Sequence, residues 1–146
     1  MNRHKMENTK PGKRSKYYIG NLKLRVGRGV SGKGLFAVDE IPKDTCIIEY
    51  IGTDVPEAEQ YKSRSKYLFE TGKNKMINGY IPENTAKYIN HSCRPNAEAD
   101  VYHGHVYILS LRKIKPGEEL TYDYGKEYFD EHIKPKGCLC VKCRKE

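Results

Sequence analysis

The sequence predicts one mainly β domain, built from several small sheets of short strands with few short helices. Its 146 residues match the size of a single ordinary domain and leave too little chain for two full cores. The apolar runs are short, as strands are, and glycine or proline separates them at close intervals. The sequence has no internal repeat and no coiled-coil heptad. These observations favour a fold of many short strands over a helical one.

Eight apolar runs are the predicted strands. Turn residues such as Gly27, Gly29, Gly52, Gly72 and Pro95 separate them, and these residue types interrupt regular strands. The predicted strands cover residues 22–26, 34–38, 46–51, 67–70, 75–77, 97–102, 105–111 and 119–122.

Local signals for a hairpin and for helices are few. His103 and Gly104 connect two of the predicted strands, and a two-residue connection with glycine supplies the positive φ that a tight hairpin needs. Helix-forming residues at 56–65 predict one helix, and residues 84–90 predict a short helical turn ahead of a loop.

The net charge of +8 makes nucleic acid the first partner to consider. Residues 1–16 carry a net charge of +5 and residues 132–146 carry +4, whereas residues 17–131 carry −1. A nearly neutral body argues against a broad phosphate-binding face, so nucleic acid would bind only through the basic ends. Residues 1–16 are polar and without periodicity, which predicts a flexible basic arm.

Apolar segments and cysteines bear on the compartment. No apolar run approaches the roughly 20 residues that a membrane helix needs, and the basic N-terminus lacks the apolar stretch of a signal peptide. A soluble protein that is not exported and has no membrane partner is therefore expected. Five cysteines, three of them in the last nine residues, fit a metal site in a reducing compartment better than a disulfide framework.

A dense polar segment, NHSCRPN, covers residues 90–96. So many polar side chains after Tyr88 and Ile89, closed by Pro95, predict a rigidly held loop rather than a core strand. A turn rich in Asn and Ser that caps a short helix gives the same pattern. The residues alone leave both interpretations open.

Two further segments carry candidate ligand-binding groups. In GEELTYDYG, residues 117–125, Tyr122 and Tyr124 would point to one face of an extended chain, with their hydroxyl groups about 7 Å apart. Two such hydroxyls can line one pocket, although packing in an aromatic core is the more common use of tyrosine. The glycines of GKGLF, residues 32–36, allow a ligand close to the backbone or mark only a bend.

The C-terminal cysteines have the spacing of a metal site. Cys138, Cys140 and Cys143 can converge on one tetrahedral ion but leave one coordination position open. Metal is favoured over a disulfide because closely spaced cysteines have poor geometry for a bridge. The candidates for the fourth ligand are Cys93, Cys46 and a histidine such as His132, and the apolar surroundings of Cys46 favour a buried thiol there.

Together these segments resemble the SET-domain protein lysine methyltransferases. The resemblance extends from about Leu22 to the C-terminus and rests on GKGLFA at 32–37, EYIG at 49–52, YLFE at 67–70, NHSCRPN at 90–96, GEELTYDYG at 117–125 and the cysteine tail. It implies a β-clip fold of short curled sheets in which the C-terminal segment threads beneath a loop as a pseudoknot. Unthreaded connections are the norm, so patterning alone does not predict this feature. The resemblance divides the chain into a SET domain over residues 17–131 and a post-SET zinc-binding tail over residues 132–146.

The resemblance also implies roles for individual residues. Tyr124 would be the catalytic tyrosine, and Tyr122 would govern how many methyl groups are added. A structural zinc ion would be bound by Cys138, Cys140 and Cys143 together with Cys93 as the fourth thiolate. S-adenosylmethionine, the methyl donor, would be bound by the backbone of Ser31, Gly32, Lys33 and Gly34 and by Tyr67. Asn90 would lie at its methionine end, and the His91 backbone would lie near the adenine.

The function implied is transfer of a methyl group from S-adenosylmethionine to the ε-amine of a lysine in a protein. The substrate would be a histone tail or another basic protein, and a tyrosine at position 122 implies mainly monomethylation. The expected location is intracellular: the cytoplasm for a bacterial protein, the nucleus for a eukaryotic one. The alternative is a non-catalytic zinc-containing module that binds nucleic acid or protein, which accounts for the net charge but not for the two tyrosines and NHSC together.

Overall fold

The computed structural model describes residues 11–29, 31–60, 65–140 and 142–143. These residues form ten short strands and a few short helical segments, which confirms the predicted mainly β class. The strands are β1 (Leu24–Gly29), β2 (Gly32–Ala37), β3 (Cys46–Tyr50), β4 (Thr53–Asp54), β5 (Leu68–Gly72), β6 (Lys75–Asn78), β7 (Asn90–His91), β8 (Ala97–Tyr102), β9 (His105–Ser110) and β10 (Thr121–Tyr122).

The strands pair into four small sheets. β1 pairs with β2, β9 lies between β3 and β8, and β6 lies between β4 and β5, all antiparallel. The fourth sheet is different, because β10 pairs with β7 in parallel. This parallel pair joins two segments that are far apart in the chain, and it is the part of the topology that builds the candidate site.

The predicted hairpin at His103 and Gly104 is confirmed. These two residues connect β8 to β9 with φ angles of 51° and 79°, which are the positive values that a tight two-residue turn requires. The paired strands place Val106 and Ile108 in the hydrophobic core. The two-residue turn therefore sets the register of β8 against β9.

The first strand lies later in the chain than predicted. We expected a strand over residues 22–26 and read Gly27 and Gly29 as turn residues, but both glycines lie inside β1. A Cβ atom at either position would lie closer than 3.0 Å to another side chain. These glycines therefore provide space for neighbouring side chains rather than a turn.

The helical segments differ from the expectation in extent. Residues 84–90 contain a 3-10 turn at Thr85–Tyr88, as predicted. The helix predicted over residues 56–65 is reduced to a 3-10 turn at Glu57–Glu59, and residues 61–64 lie outside the described residues. An unpredicted helical segment begins with α1 (Lys126–Tyr128) and continues through Phe129–Ile133 and Lys134–Lys136. None of its residues is fully buried, and its apolar residues Tyr128, Phe129 and Ile133 are only half-buried.

One hydrophobic core joins the sheets. Its buried members include Leu35, Ile47, Tyr50, Ile89, Val106, Ile108, Leu120 and Tyr122. A smaller cluster of Cys46, Tyr107 and Leu109 packs against Tyr17, whose hydroxyl donates to Asp100 at 2.8 Å. Among the described residues, Tyr17 is thus the first whose side chain packs against a core cluster.

The two chain ends are described only in part. Most of the predicted flexible arm, residues 1–10, lies outside the described residues, as do Val141 and residues 144–146 of the tail. Within the described part of the arm, the Lys16 ammonium group lies 3.4 Å from the Asp100 carboxylate. None of the described helices is long and apolar enough to cross a membrane.

Candidate functional site

The parallel pairing of β7 with β10 brings the two polar motifs together. Asn90 is opposite Thr121, and His91 is opposite Tyr122. The pairing continues into the loop, where the Ser92 N–H donates to the Tyr122 carbonyl at 3.1 Å. The residues of the NHSC motif therefore lie directly beside those of the tyrosine motif.

Asn96 fixes the loop that follows β7. Its side-chain amide donates to the Glu119 carbonyl at 2.8 Å, and its side-chain carbonyl accepts the Thr121 N–H at 2.9 Å. The Ser92 hydroxyl accepts the Arg94 N–H at 3.0 Å, so the Ser-type turn considered from the sequence is also present. The loop is thus both a local turn and a rigid element tied to the strand beside it.

The Asn90 side chain is held by two partners. It donates to the Lys33 carbonyl of β2 at 3.0 Å and to the Glu119 carboxylate at 2.7 Å. A Cβ atom at Gly29 or Gly34 would lie closer than 3.0 Å to the same carboxylate. In this structure the missing side chain of Gly34 therefore makes room for Glu119.

The two tyrosines lie next to each other, with ring centroids 5.1 Å apart. Tyr122 is only 4% exposed and belongs to the core, so the aromatic-core interpretation holds for its ring. The Tyr124 hydroxyl donates to the Ile89 carbonyl at 2.5 Å. Burial raises the pKa of both phenols above the ordinary value, so both remain protonated and neutral at physiological pH.

A pocket of about 540 Å³ opens beside these motifs. Of the predicted cofactor-binding residues, Ser31, Lys33, Tyr67 and Asn90 line it. Gly32 and Gly34 flank Lys33 in β2 and, like the buried His91, do not line the pocket. The other lining residues are Lys66, Tyr80, Ile81, Pro82, Lys87 and Tyr88.

The pocket combines aromatic and cationic groups that the sequence analysis did not select. The rings of Tyr67 and Tyr80 have centroids 5.0 Å apart, and the Lys87 ammonium group lies 4.4 Å from the centroid of the Tyr88 ring. Burial lowers the pKa of Lys66. Tyr88 precedes the NHSC motif by two positions, a signal that could have identified it, whereas Tyr80 and Lys66 lie in segments without a recognisable motif.

The size and lining of this pocket fit a nucleoside-type cofactor. Small-molecule sites typically have volumes of about 300–1,000 Å³ and combine apolar or aromatic walls with a few polar groups. Tyr67, Tyr80 and Tyr88 provide aromatic surface, and the Asn90 carboxamide provides a polar group at the wall next to β10.

Four cysteines meet at the end of the parallel pair. The sulfur atoms of Cys93, Cys138, Cys140 and Cys143 all lie within 4.8 Å of one another. The Cys93 and Cys143 sulfurs are 3.6 Å apart. Tetrahedral zinc with bonds of about 2.3 Å holds its sulfur ligands about 3.8 Å apart, so this arrangement fits a zinc ion.

The other two candidates for a fourth ligand lie elsewhere. Cys46 is buried beside Tyr107 and Leu109, and burial raises its pKa to about 12, as expected for an inert packed thiol. The His132 ring packs on Tyr128 at 4.7 Å and lies 3.6 Å from the Glu131 carboxylate. Among the described residues, the structure therefore groups Cys93 alone with the three tail cysteines.

Backbone donors favour a thiolate in this cluster. Burial acts to raise the pKa of Cys140, but the N–H groups of Cys93, Lys142 and Cys143 and the Cys138 side chain together outweigh it and lower the pKa to about 6. Burial and the neighbouring thiols raise the pKa of Cys93. Cysteine binds metal ions as the thiolate, so a thiol of lowered pKa is suited to be a metal ligand.

The His91 side chain lies between the cysteines and Tyr124. Its Nδ1 accepts the Tyr124 N–H at 3.0 Å, and its Nε2 is 3.3 Å from the Cys93 sulfur. Burial lowers the pKa of His91, and the Asp123 carboxylate, 3.8 Å from Nδ1, opposes this effect only in part. The imidazole is therefore neutral at physiological pH.

Comparison with known proteins adds a family and relatives. The family model described as SET domain matches residues 32–125. The chain is 36% identical over 145 residues to the histone-lysine N-methyltransferase trr of Drosophila melanogaster, which covers 90% of the chain and 6% of that protein. It is 36% identical over 129 residues to histone-lysine N-methyltransferase 2D of Homo sapiens, which covers 80% of the chain and 2% of that protein.

A fungal protein gives a similar match. The H3 lysine-4 specific histone-lysine N-methyltransferase of Chaetomium globosum is 38% identical over 120 residues, covering 73% of the chain and 11% of that protein. The chain thus spans only a small part of the length of each of these relatives.

Proposed function

Because the chain belongs to the SET-domain family, we propose that it transfers a methyl group from S-adenosylmethionine to the ε-amine of a lysine in a protein substrate. The observation that carries the proposal is the pairing of β7 with β10, which places Asn90 of the pocket wall beside the two tyrosines. Pocket and tyrosines thus lie where a methyl donor and a substrate lysine could meet. The three relatives are named histone-lysine N-methyltransferases, which is the same class of reaction.

The pocket described above is the proposed cofactor site. When bound, S-adenosylmethionine supplies an electrophilic methyl group on its sulfonium sulfur. Ser31, Lys33, Tyr67 and Asn90 are the residues that would hold it, and Asn90 is itself held in place by Lys33 and Glu119. A side chain fixed in this way positions a ligand without having to be ordered on binding.

The substrate lysine must attack as a neutral amine. An amine of ordinary pKa about 10.4 is almost entirely protonated near pH 7, so the site must favour the uncharged form. A buried site and a nearby cation both act in that direction. The lysine would first lose a proton to solvent, and its neutral nitrogen would then bond to the methyl carbon as the carbon–sulfur electron pair returns to sulfur. The methylated lysine would leave as a cation, because its amine also has a pKa well above 7.

Tyr124 is proposed to orient this amine through its neutral hydroxyl. Its hydroxyl proton is used in the bond to the Ile89 carbonyl, which leaves the phenol oxygen as an acceptor. Because burial raises its pKa, the residue acts by positioning rather than as a tyrosinate base. The buried Tyr122 beside it would limit the space around the amine and favour monomethylation.

The zinc ion is proposed to be structural. Cys93, Cys138, Cys140 and Cys143 would complete a shell of four thiolates and leave no position for a reacting water. The ion would hold the C-terminal segment against the loop after β7.

We propose histone lysines as the first substrates to test, since the relatives are named histone-lysine methyltransferases.

The proposal is tested by incubating the protein with isotope-labelled S-adenosylmethionine and a panel of histones and cell extract proteins. We expect label on a lysine, found by mass spectrometry, and its loss in Tyr124→Phe. Tyr102→Phe is the matched control, because Tyr102 lies at the tip of the β8–β9 hairpin and is 40% exposed. If calorimetry detects no binding of S-adenosylmethionine while DNA binds with a steep salt dependence, the binding-module alternative replaces the proposal.

A further inference from the structure

Both ring nitrogens of His91 have partners in different parts of the site. Nδ1 is 3.0 Å from the backbone nitrogen of Tyr124, and Nε2 is 3.3 Å from the sulfur of Cys93. The ring is only 8% exposed. The rings of Tyr124 and Phe129 pack on it with centroid distances of 5.4 Å and 5.3 Å. The orientation of the imidazole is therefore fixed by packing as well as by polar contacts.

The tautomer of this ring follows from one of its partners. A backbone N–H can only donate, so Nδ1 must be the unprotonated, accepting nitrogen. In a neutral imidazole the single proton is then on Nε2. The group that it faces is the Cys93 sulfur, which accepts hydrogen bonds most strongly as a thiolate.

We propose that the His91 side chain is a positioning residue that connects the zinc site to the Tyr124 backbone, through an Nε2–H bond to the Cys93 thiolate and an Nδ1 bond from the Tyr124 N–H. The role is distinct from the one expected for the His91 backbone at the cofactor. It involves no change of protonation. The effect on Tyr124 rests on the proposed methyl transfer, whereas the bond to Cys93 does not.

The expected effect of the bond to Cys93 follows from metal-site chemistry. Hydrogen bonds to a ligand atom orient it and tune its donor strength, and loss of such a partner lowers metal affinity or activity by about 10- to 100-fold. The Cys93 N–H, in turn, donates to the Cys140 sulfur at 3.4 Å. His91 and the backbone of Cys93 thus place N–H donors against two of the four sulfur atoms.

The wild-type protein provides the first test. After cadmium replaces zinc, NMR of the isotope-labelled histidine side chains reports which nitrogen of His91 carries the proton. We expect the Nε2–H tautomer and a scalar coupling between this proton and the metal nucleus across the N–H···S bond. A proton on Nδ1, or no coupling to the metal, overturns the proposal. This readout is independent of methyl transfer.

A set of three variants separates the two bonds. Asn at position 91 can replace Nδ1 as the acceptor for the Tyr124 N–H but is too short to reach Cys93. Gln can reach Cys93 but has no acceptor at the position of Nδ1. Phe retains the ring but neither of the two polar contacts. We expect His91→Asn and His91→Phe to release zinc to a chelator about tenfold faster and to shift the thiolate-to-metal absorption of the cobalt-substituted protein. His91→Gln should resemble the wild type in both measurements.

Methyl transfer is then measured on the same variants. We expect kcat to fall about tenfold in His91→Gln and His91→Phe, with the KM for the peptide unchanged, and to fall by less in His91→Asn, which retains an acceptor for the Tyr124 N–H. If the cobalt absorption and zinc release of His91→Asn and His91→Phe match the wild type, the bond to Cys93 is refuted even if all variants are active. If the wild type transfers no methyl group, the proposed function fails while the metal readouts still decide the bond.

Discussion

Asn90 and Glu119 are 29 residues apart in the chain, yet the Asn90 carboxamide donates a 2.7 Å hydrogen bond to the Glu119 carboxylate. The same carboxylate fills the space where Gly29 and Gly34 have no side chain. Two glycines, an amide and an acid thus form one packed unit at the wall of the pocket.

Gly34→Ala should displace the Glu119 carboxylate and weaken its bond to Asn90. Overpacking typically costs about 1–3 kcal/mol, so we expect a lower midpoint of urea unfolding and weaker binding of S-adenosylmethionine. Gly20→Ala is the control, because nothing lies within 4 Å of a Cβ atom there. Since Gly29→Ala displaces the same carboxylate, the double variant should lose less stability than the sum of the single ones. Full additivity would contradict the shared contact.

Tyr122→Phe should change the number of methyl groups added. Removing the buried hydroxyl enlarges the space next to Tyr124, so we expect di- and trimethylated peptide in place of mainly monomethylated product. Mass spectrometry of a time course measures this directly, with Tyr102→Phe as the control. An unchanged product distribution would show that Tyr122 does not control methylation.

Cys140→Ser should remove zinc and loosen the tail. Removal of a group that only hydrogen-bonds to a metal ligand lowers metal affinity about 10- to 100-fold. Removal of a ligand itself should lower zinc affinity by more than this. We expect elemental analysis to find one zinc per wild-type chain and little in the variant, and the KM values for cofactor and peptide to rise. Cys46→Ala should retain its zinc, since Cys46 lies outside the cluster. Unaltered Michaelis constants in Cys140→Ser would contradict the structural role of the metal.

Stability should fall in alkaline solution. Burial raises the pKa of Tyr50, Tyr122 and Tyr124 above the ordinary tyrosine value and that of Cys46 to about 12. A group whose pKa is higher in the folded state than in the unfolded state stabilises the folded protein fully at pH values below the unfolded-state pKa. This stabilisation is lost as the pH rises through the folded-state pKa. Each group therefore reduces the free energy of unfolding by up to about 1.4 kcal/mol per pH unit, from about pH 9 for Cys46 and about pH 10 for the tyrosines.

Urea unfolding at a series of alkaline pH values measures this loss. In zinc-loaded Cys46→Ala the decline should begin about one pH unit later, because the cluster cysteines are then bound as thiolates and the buried tyrosines are the groups of raised pKa that remain. An onset at the same pH in both proteins would exclude a contribution from Cys46.

The sequence predicted those features whose causes are local. The His103–Gly104 hairpin depends on two adjacent residues, and both have the required positive φ. Tyr122 and Tyr124 were selected because alternate positions of an extended chain share a face, and their rings are in contact. The class of fold also follows from short, frequently interrupted apolar runs.

Features with long-range causes could not be predicted in this way. The packing role of Gly29 could not be predicted, because the Glu119 carboxylate that occupies the space beside it belongs to a distant segment of the chain. From the residues alone Cys93 and His132 both stayed open as the fourth ligand, while the apolar surroundings of Cys46 argued against it, and the resemblance selected Cys93. Of the pocket lysines, Lys66 and Lys87 lie outside the motifs, and their position in the pocket depends on how separate segments pack together.

The two-residue parallel pair of β7 and β10 has a consequence for the order of folding. The pocket wall, the tyrosines and the cysteine cluster meet only after residues 119–143 have reached the loop at residues 90–96. A chain emerging from the ribosome can form its hairpins early but must wait for these later residues before it has a site. Such distant contacts slow folding, so we expect binding competence to arise last, after most of the sheet structure has formed.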